Sequence, residues 1–333
     1  MKRTMIALLI GLLASVVLAQ KDGDATSGSR AKSFSVGKGG NLEVSTNVGE
    51  IHIAPWEKNE VYVRVEGIDE EDLDRLKMSQ NGNTVRVTFK PRYSNYGSVR
   101  FEINVPSQFN LELKTSGGDL IIAGAINGKI KGTTAGGEIR LGNVDGTVEM
   151  TTSGGNVRAG DISGDGYLRT AGGDIDVGKV GGELEVSTSG GDINITSVVK
   201  SVSARTAGGE IRVGNVGGEA HVSTSGGDIK MGKVSGRVNM STAGGNIELK
   251  GASGTVRAST SGGDVHLENV TGSIDARTAG GEVDAELIPS GKGSSKLSSS
   301  GGKVSVAVPE HVKATIEATI QITDRSRRKS DRY

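Results

Sequence analysis

The sequence predicts an all-β chain wound as a single-stranded β-helix, or β-solenoid, of 18-residue coils behind a β-rich N-terminal cap. Three observations predict it. A Thr-(Ser/Ala)-Gly-Gly tetrad begins at Thr115, Thr134, Thr152, Thr170, Thr188, Thr206, Thr224, Thr242, Thr260 and Thr278, with a uniform 18-residue step after a first step that is one longer. Within each repeat, aliphatic residues alternate with polar ones in two short runs, the two-residue period of a strand with one buried face. The composition, 53 glycines and only 3% aromatic residues, suits many tight arcs around a thin core of Val, Ile and Ala.

Counted from the tetrad Thr, position 6 is Leu, Ile or Val, as at Ile139, Ile175, Ile211 and Ile229. Position 8 is mostly apolar (Leu141, Val177, Val213), and position 11 is usually Val (Val144, Val180, Val216). Positions 15 and 17 alternate again, as in Val148 and Met150 or Val238 and Met240. Each repeat therefore reads as strand, arc, strand, arc. The arcs are assigned to the glycine pairs Gly117-Gly118, Gly136-Gly137, Gly154-Gly155, Gly172-Gly173, Gly190-Gly191, Gly208-Gly209, Gly226-Gly227, Gly244-Gly245, Gly262-Gly263 and Gly280-Gly281. Glycine there is expected to permit positive φ and a sharp bend. One such unit cannot bury its own apolar face, so the copies must stack, Ile on Ile and Val on Val.

A weaker 36-residue period lies over the 18. The second tetrad residue alternates Ser116, Ala135, Ser153, Ala171 and onward, and arginine precedes three Ala versions, at Arg169, Arg205 and Arg277. A 36-residue coil is the alternative this leaves open. The 18-residue coil is preferred because that unit already holds two strands and two arcs.

Flanking the repeats are several distinct segments. Residues 1–19 read as a signal peptide: Lys2 and Arg3, an apolar run from Met5 to Leu18, and small residues Val17 and Ala19 before a cleavage site at Gln20. The run is short for a membrane span of about 20 residues. Residues 20–32 are polar and read as a linker. Residues 33–113 are strand-rich without the tetrad and read as the cap, with one short helix expected over Glu70 to Met78 and a hairpin turn at Asn81-Gly82. The repeats proper occupy 114–288. Degenerate coils follow over 289–322, with strands expected at Lys303 to Val308 and Ala314 to Ile322. Residues 323–333 form a basic tail, read as a solvated end.

Residues from about Ser33 to Ile322 resemble the bacterial putative adhesin family of β-strand repeat proteins, a domain of unknown function. The resemblance rests on Leu42-Glu43-Val44, Gly49-Glu50-Ile51-His52-Ile53, Trp56 and Val61-Tyr62-Val63. It continues through Ile103-Asn104-Val105-Pro106 and Leu111 to Asp119, and on the repeated Thr-Ser-Gly-Gly-Asp-Ile element. It implies a right-handed single-stranded β-helix that works outside the cytoplasm, in the periplasm or at the cell surface. This chain is more regular than such sequences usually are and ends in a charged tail.

Chemistry is sparse. The chain has 39 basic and 39 acidic residues and no cysteine, which speaks against nucleic-acid binding and excludes thiolate or disulfide chemistry. His52, His221, His266 and His311 are scattered without ligand spacing. No nucleophile elbow or triad spacing is present, and Tyr167 is the one ring in the repeats, too few for the aromatic platforms of a polysaccharide-cleaving β-helix. No cofactor is implied. The weak metal candidate is the position-5 ladder of Asp119, Asp174, Asp192, Asp228 and Asp264, interspersed with Glu and Asn. Stacked carboxylates repel and cations could bridge them, but local Asx hydrogen bonds in the arcs are the preferred role. The tetrad Thr column lacks the paired Thr-x-Thr of ice-binding arrays. The expectation is an exported, non-catalytic, adhesin-like solenoid whose partner is a polysaccharide or an envelope protein. A structural or assembly element of the envelope is the alternative, and a carbohydrate-active enzyme is third.

Overall fold

A computed structural model of the chain describes residues 28–92, 99–289, 293–312 and 315–319. The expected signal peptide, most of the linker and the basic tail lie outside the described residues. Among the described residues, the strands form a 15-stranded sheet, a 14-stranded sheet and a two-stranded ribbon between them. The only helix among them is a single 3-10 segment, Glu70–Arg75.

From Leu111 onward each strand pairs in parallel with its counterpart in the next coil. Ile175 aligns with Ile193, Ile193 with Ile211, and Ile211 with Ile229 in the larger sheet. Val148, Gly166 and Leu184 align likewise in the smaller. The register therefore advances by one tetrad repeat per coil, and the 36-residue alternative is set aside. Inside, the aliphatic columns are continuous: Ile139, Ile175, Ile193, Ile211, Ile229 and Ile247 are all fully buried. Each such side chain contributes on the order of 1.5–3 kcal/mol gross. Where a column holds glycine, the neighbour fills the space: Met150 lies over Gly132 and Leu184 over Gly166.

The N-terminal segment enters the same two sheets, but out of chain order. Its strands are β1 (Gly28–Ser35), β2 (Gly40–Thr46), β3 (Glu50–Trp56), β4 (Glu60–Ile68), β5 (Leu76–Asn81), β6 (Thr84–Phe89), β7 (Arg100–Pro106), β8 (Phe109–Lys114) and β9 (Leu120–Ile122). β2 is paired on one side with β6 and on the other with β8. β3 lies between β7 and β9. The β2–β3 coil is thus enclosed by two coils that come later in the chain. Beyond β7 the direction reverses: β4 and β1 run antiparallel, as does the β5–β6 hairpin. This reversal ends the parallel ladder and covers its edge.

Three expectations shift here. Residues 28–32, assigned to the linker, are the first part of β1, drawn in by pairing of Ala31 and Lys32 with Arg64 and Val63. The helix over Glu70 to Met78 is cut at Arg75, because Leu76–Asn81 pairs with β6. The hairpin loop is Gly82-Asn83, one residue later than expected. Asn81 and Thr84 pair across it, and Gly82 takes φ 56°, where glycine is favoured. The rings missing from the repeats gather here: Phe34, Phe89, Phe101 and Phe109 are all buried, with Phe89 and Phe101 centred 6.3 Å apart.

At the other end, Lys296–Ser299 and Val304–Ala307 add one further coil, in which Asp275 pairs with Lys296 and Val283 with Val304. Val304 and Val306 are 44% and 41% exposed, whereas Val283 and Ala285 beneath them are buried. Residues 315–319, within the strand expected from Ala314 to Ile322, are not in a strand, and Ile316 is 70% exposed, so nothing packs it onto the last coil.

Candidate functional site

The tetrad and the residue after it fasten coil to coil, and the structure gives each of them a part. The tetrad Thr is buried. The alternation through Val148 and Met150 continues to Thr152, so its side chain also points inward. Its hydroxyl donates to the carbonyl of the second tetrad glycine of the preceding coil: Thr152 to Gly137, Thr170 to Gly155 and Thr188 to Gly173, each at 2.8 Å. The same oxygen accepts the N–H of its own second glycine, as from Gly173 to Thr170 at 3.3 Å. A hydroxyl column on the surface is therefore absent at these positions.

The chain bends at the glycine pairs, but not through the expected positive φ. None of the ten pairs has positive φ. Their need for glycine comes from the coil below: a Cβ on Gly137, Gly155, Gly173, Gly191 or Gly245 would overlap the carbonyl of the second glycine one coil earlier. The first glycine is looser, with a Cβ on Gly154 or Gly172 meeting a carbonyl oxygen at 3.3 Å. The pair lies in a bend of the chain, and close stacking of backbones between coils explains why both positions are glycine.

The position-5 ladder is also a device between coils. The Oδ1 atoms of Asp119, Asp174, Asp192, Asp228 and Asp264 accept the backbone N–H of position 5 in the next coil, at 2.7–2.9 Å. Asn156 and Asn246 do the same at 2.8 Å. These are not local Asx turns. Each side chain caps a donor one coil ahead, where the arc leaves the ladder unpaired. Glu138 and Glu210, both largely buried, pair instead with cations of the outer face. Glu138 pairs with Arg140 and Arg158, and Glu210 with Arg212 and Lys230. The hydrogen bond to Glu210 raises the Lys230 pKa, and that to Glu138 raises Arg140. Among the described residues, no cluster of three or more carboxylates or histidines is arranged to hold a metal ion.

A second ladder escaped the sequence reading. Asn143 Oδ1 accepts the N–H of Asp161 at 2.9 Å, and Asp161 Oδ1 that of Lys179 at 2.8 Å. Asn215 repeats this with Lys233 at 2.9 Å. Asn or Asp at an 18-residue spacing outside the tetrad was the available signal.

Two grooves remain. On the outer face of the larger sheet, Arg140, Arg158, Asp176, Asn194, Arg212, Lys230, Glu248, His266 and Asp284 stand in one in-register row. Asn194 donates to Asp176 at 3.0 Å, and His266 lies 3.2 Å from both Glu268 and Asp284. A shallow groove of about 840 Å³ runs beside this row. The second groove, about 690 Å³, lies where the cap meets the first coils. Its floor is the buried column Ile126, Val144, Ile162 and Val180. Half-buried Trp56 forms part of its wall, its indole N–H donating to the Glu60 carbonyl at 2.7 Å and Lys58 standing 4.6 Å from its ring centre. Among the described residues, no helix is long and apolar enough to cross a membrane.

No curated protein is significantly similar in sequence. Among solved structures, a putative adhesin of Parabacteroides distasonis shares 13% identity, over 84% of this chain and 97% of its own, with a TM-score of 0.36. A putative adhesin of Parabacteroides merdae shares 13% over 84% and 96%, with a TM-score of 0.35. A putative cell adhesion protein of Clostridium sporogenes shares 12% over 85% and 100%, with a TM-score of 0.22. Likenesses this distant carry no functional weight. The family model described as Toastrack DUF4097 matches residues 39–249 and 196–329, a span that takes in most of the cap and every tetrad. With its coil, its cap and its repeats inside that match, the chain belongs to the Toastrack DUF4097 family.

Proposed function

We propose that the chain is an exported, non-catalytic, adhesin-like solenoid that binds an extended surface ligand (polysaccharide, envelope material or protein) along its outer faces. The observation that supports this reading is the in-register row from Arg140 to Asp284. Parallel stacking repeats a polar group about every 4.8 Å along a straight line. A linear array suits a linear partner better than a small substrate. Side chains already paired, such as Glu210 with Arg212 in its own coil and with Lys230 in the next, lose little further freedom on binding.

The test uses the chain lacking residues 1–19 on a glycan array and in pull-downs from envelope fractions, beside cell fractionation. Saturable binding that weakens in the double variant Arg212→Ala and Lys230→Ala is expected. Turnover of a polysaccharide, abolished by one carboxylate substitution, would overturn the reading. A structural or assembly role is the second reading, favoured by the exposed Val304 and Val306 on the final coil. Concentration-dependent association in sedimentation, lost in Val304→Ser with Val306→Ser, would favour it.

A further inference from the structure

We propose that the groove at the junction of cap and coils is a subsite for a neutral oligosaccharide. This rests on the reading of the chain as a binding module and names one ligand class and one place. Three features of the groove converge. The first is an aromatic wall held in place: Trp56, the only tryptophan of the chain, is anchored by its N–H bond to Glu60 and lies 6.4 Å from the tilted ring of Tyr62. Exposed Lys58 stands over this ring at 4.6 Å, and a pyranose would stack its C–H face on the ring by displacing that side chain. The second is a polar rim in register with the coils. Asn127 and Ser163 each donate to one oxygen of Asp145, at 3.0 and 2.7 Å, so this exposed carboxylate is fixed while lone pairs remain free to accept from sugar hydroxyls. The coil step of about 4.8 Å is close to the advance of one sugar residue along a chain. The third is charge. The lining carries three lysines, Lys38, Lys58 and Lys179, and three carboxylates, Glu57, Asp145 and Asp161. A balanced, hydroxyl-seeking surface over an apolar floor fits an uncharged polyol better than a uronate or a basic peptide.

The experiment uses the one tryptophan as its reporter. The chain from residue 20 onward is titrated with neutral gluco- and manno-hexasaccharides, a uronic-acid hexamer and a basic peptide, reading Trp56 emission. A saturable change with at least one neutral hexasaccharide is expected. Asp145→Ala should weaken that binding at least tenfold without moving the melting temperature. Arg257→Ala, exposed on the other sheet, should leave it unchanged. A response confined to the uronic-acid hexamer or the peptide overturns the proposal, as does neutral binding indifferent to Asp145. No emission change with any ligand, while pull-downs still capture envelope polysaccharide, overturns this subsite and leaves the wider reading standing. Failure of both assays removes the two together.

Discussion

Thr152 donates its hydroxyl hydrogen to the Gly137 carbonyl 2.8 Å away, and by doing so it ties its coil to the one before. The bond is buried and recurs in every tetrad from Thr134 to Thr278. At the final coil, Ser299 takes the place of Thr and makes the same bond to Gly281 at 2.7 Å. Thr152→Val keeps the shape and removes the donor, leaving the Gly137 carbonyl without it. A loss of about 1–3 kcal/mol in denaturant unfolding is expected. Thr152→Ser should retain most of the stability, as Ser299 indicates. Equal losses for Ser and Val would mean that packing of the methyl group matters and the hydroxyl does not.

The two glycines of a pair should respond differently to the same methyl group. Gly155→Ala puts a Cβ into the Gly137 carbonyl and forces the coils apart, while Gly154→Ala meets its nearest oxygen at 3.3 Å. Overpacking of this kind costs about 1–3 kcal/mol, so Gly155→Ala should fall in that range or above it. Gly154→Ala should cost less than about 1 kcal/mol. Melting curves for the pair decide the matter, and a reversed order would displace the stacking account.

The position-5 ladder predicts that amide and carboxylate are interchangeable but that neither can be deleted. Asn156 and Asn246 already serve as acceptors. Asp174→Asn should therefore leave stability within about 0.5 kcal/mol. Asp174→Ala strands the N–H of Asp192 and should cost about 1–2 kcal/mol. Calcium or a chelator should not change the melting temperature of either variant. A calcium-dependent rise in the wild type that Asp174→Asn abolishes would restore the cation reading.

Removing one coil should be harmless to the rest. Every strand of the coil that begins at Thr206 pairs with its equivalents in the repeats on both sides, so deletion of residues 206–223 lets Asp192 meet Asp228 in the same register. Circular dichroism should keep its β signature, with cooperative unfolding at a slightly lower temperature. A chain that is unfolded after losing one repeat, yet folded after losing two, would contradict the coil seen here.

Glu112 and Lys131 set the expected pH behaviour of the smaller sheet's outer face. The hydrogen bond from Lys114 lowers the Glu112 pKa; burial is the next effect and opposes it, and the charges of Lys114, Lys131 and Arg86 add to the lowering. Its contribution to stability is therefore present above the ordinary Glu pKa and is lost as pH falls through the lowered one. The bond to Glu149 raises the Lys131 pKa, so that contribution is present below the ordinary Lys pKa and is lost as pH rises through the raised one. Both are surface pairs and both effects are small. NMR titration should show Glu112 returning toward its ordinary value in Lys114→Gln, with a shallower acid limb of stability. An unmoved titration would dissolve the pair.

Much of the coil was legible because two periods spoke at once. The 18-residue spacing located the coils, and alternation at Val148-Met150 or Ile175-Val177 located the inner face. That same alternation places Thr152 inside, but the Gly137 carbonyl its hydroxyl meets belongs to the neighbouring coil and cannot be read from the repeat alone. The glycine pairs do mark bends, but the reason both positions must be glycine was hidden, because a sequence shows a residue only its chain neighbours. The carbonyl that Gly155 must clear belongs to Gly137, one coil away. The same limit hid the direction of the Asp ladder, whose acceptor and donor share a position but not a repeat. In the cap, where nothing repeats, β2 and β3 could be recognised as strands but not placed between later coils. The groove at the junction of cap and coils was invisible for that reason, since Trp56 and Asp145 line it together only through the non-sequential order.

Enclosure of β2–β3 between β6–β7 and β8–β9 also orders events during synthesis. The amino-terminal third cannot be completed until Ile122 has emerged, because its second coil waits for a neighbour from each flank. After that point every newly released stretch finds a finished template directly beside it. One end of the molecule is thus assembled by a long search and the remainder by simple apposition. A stalled chain ending before Phe109 should be the most vulnerable to proteases of all truncations.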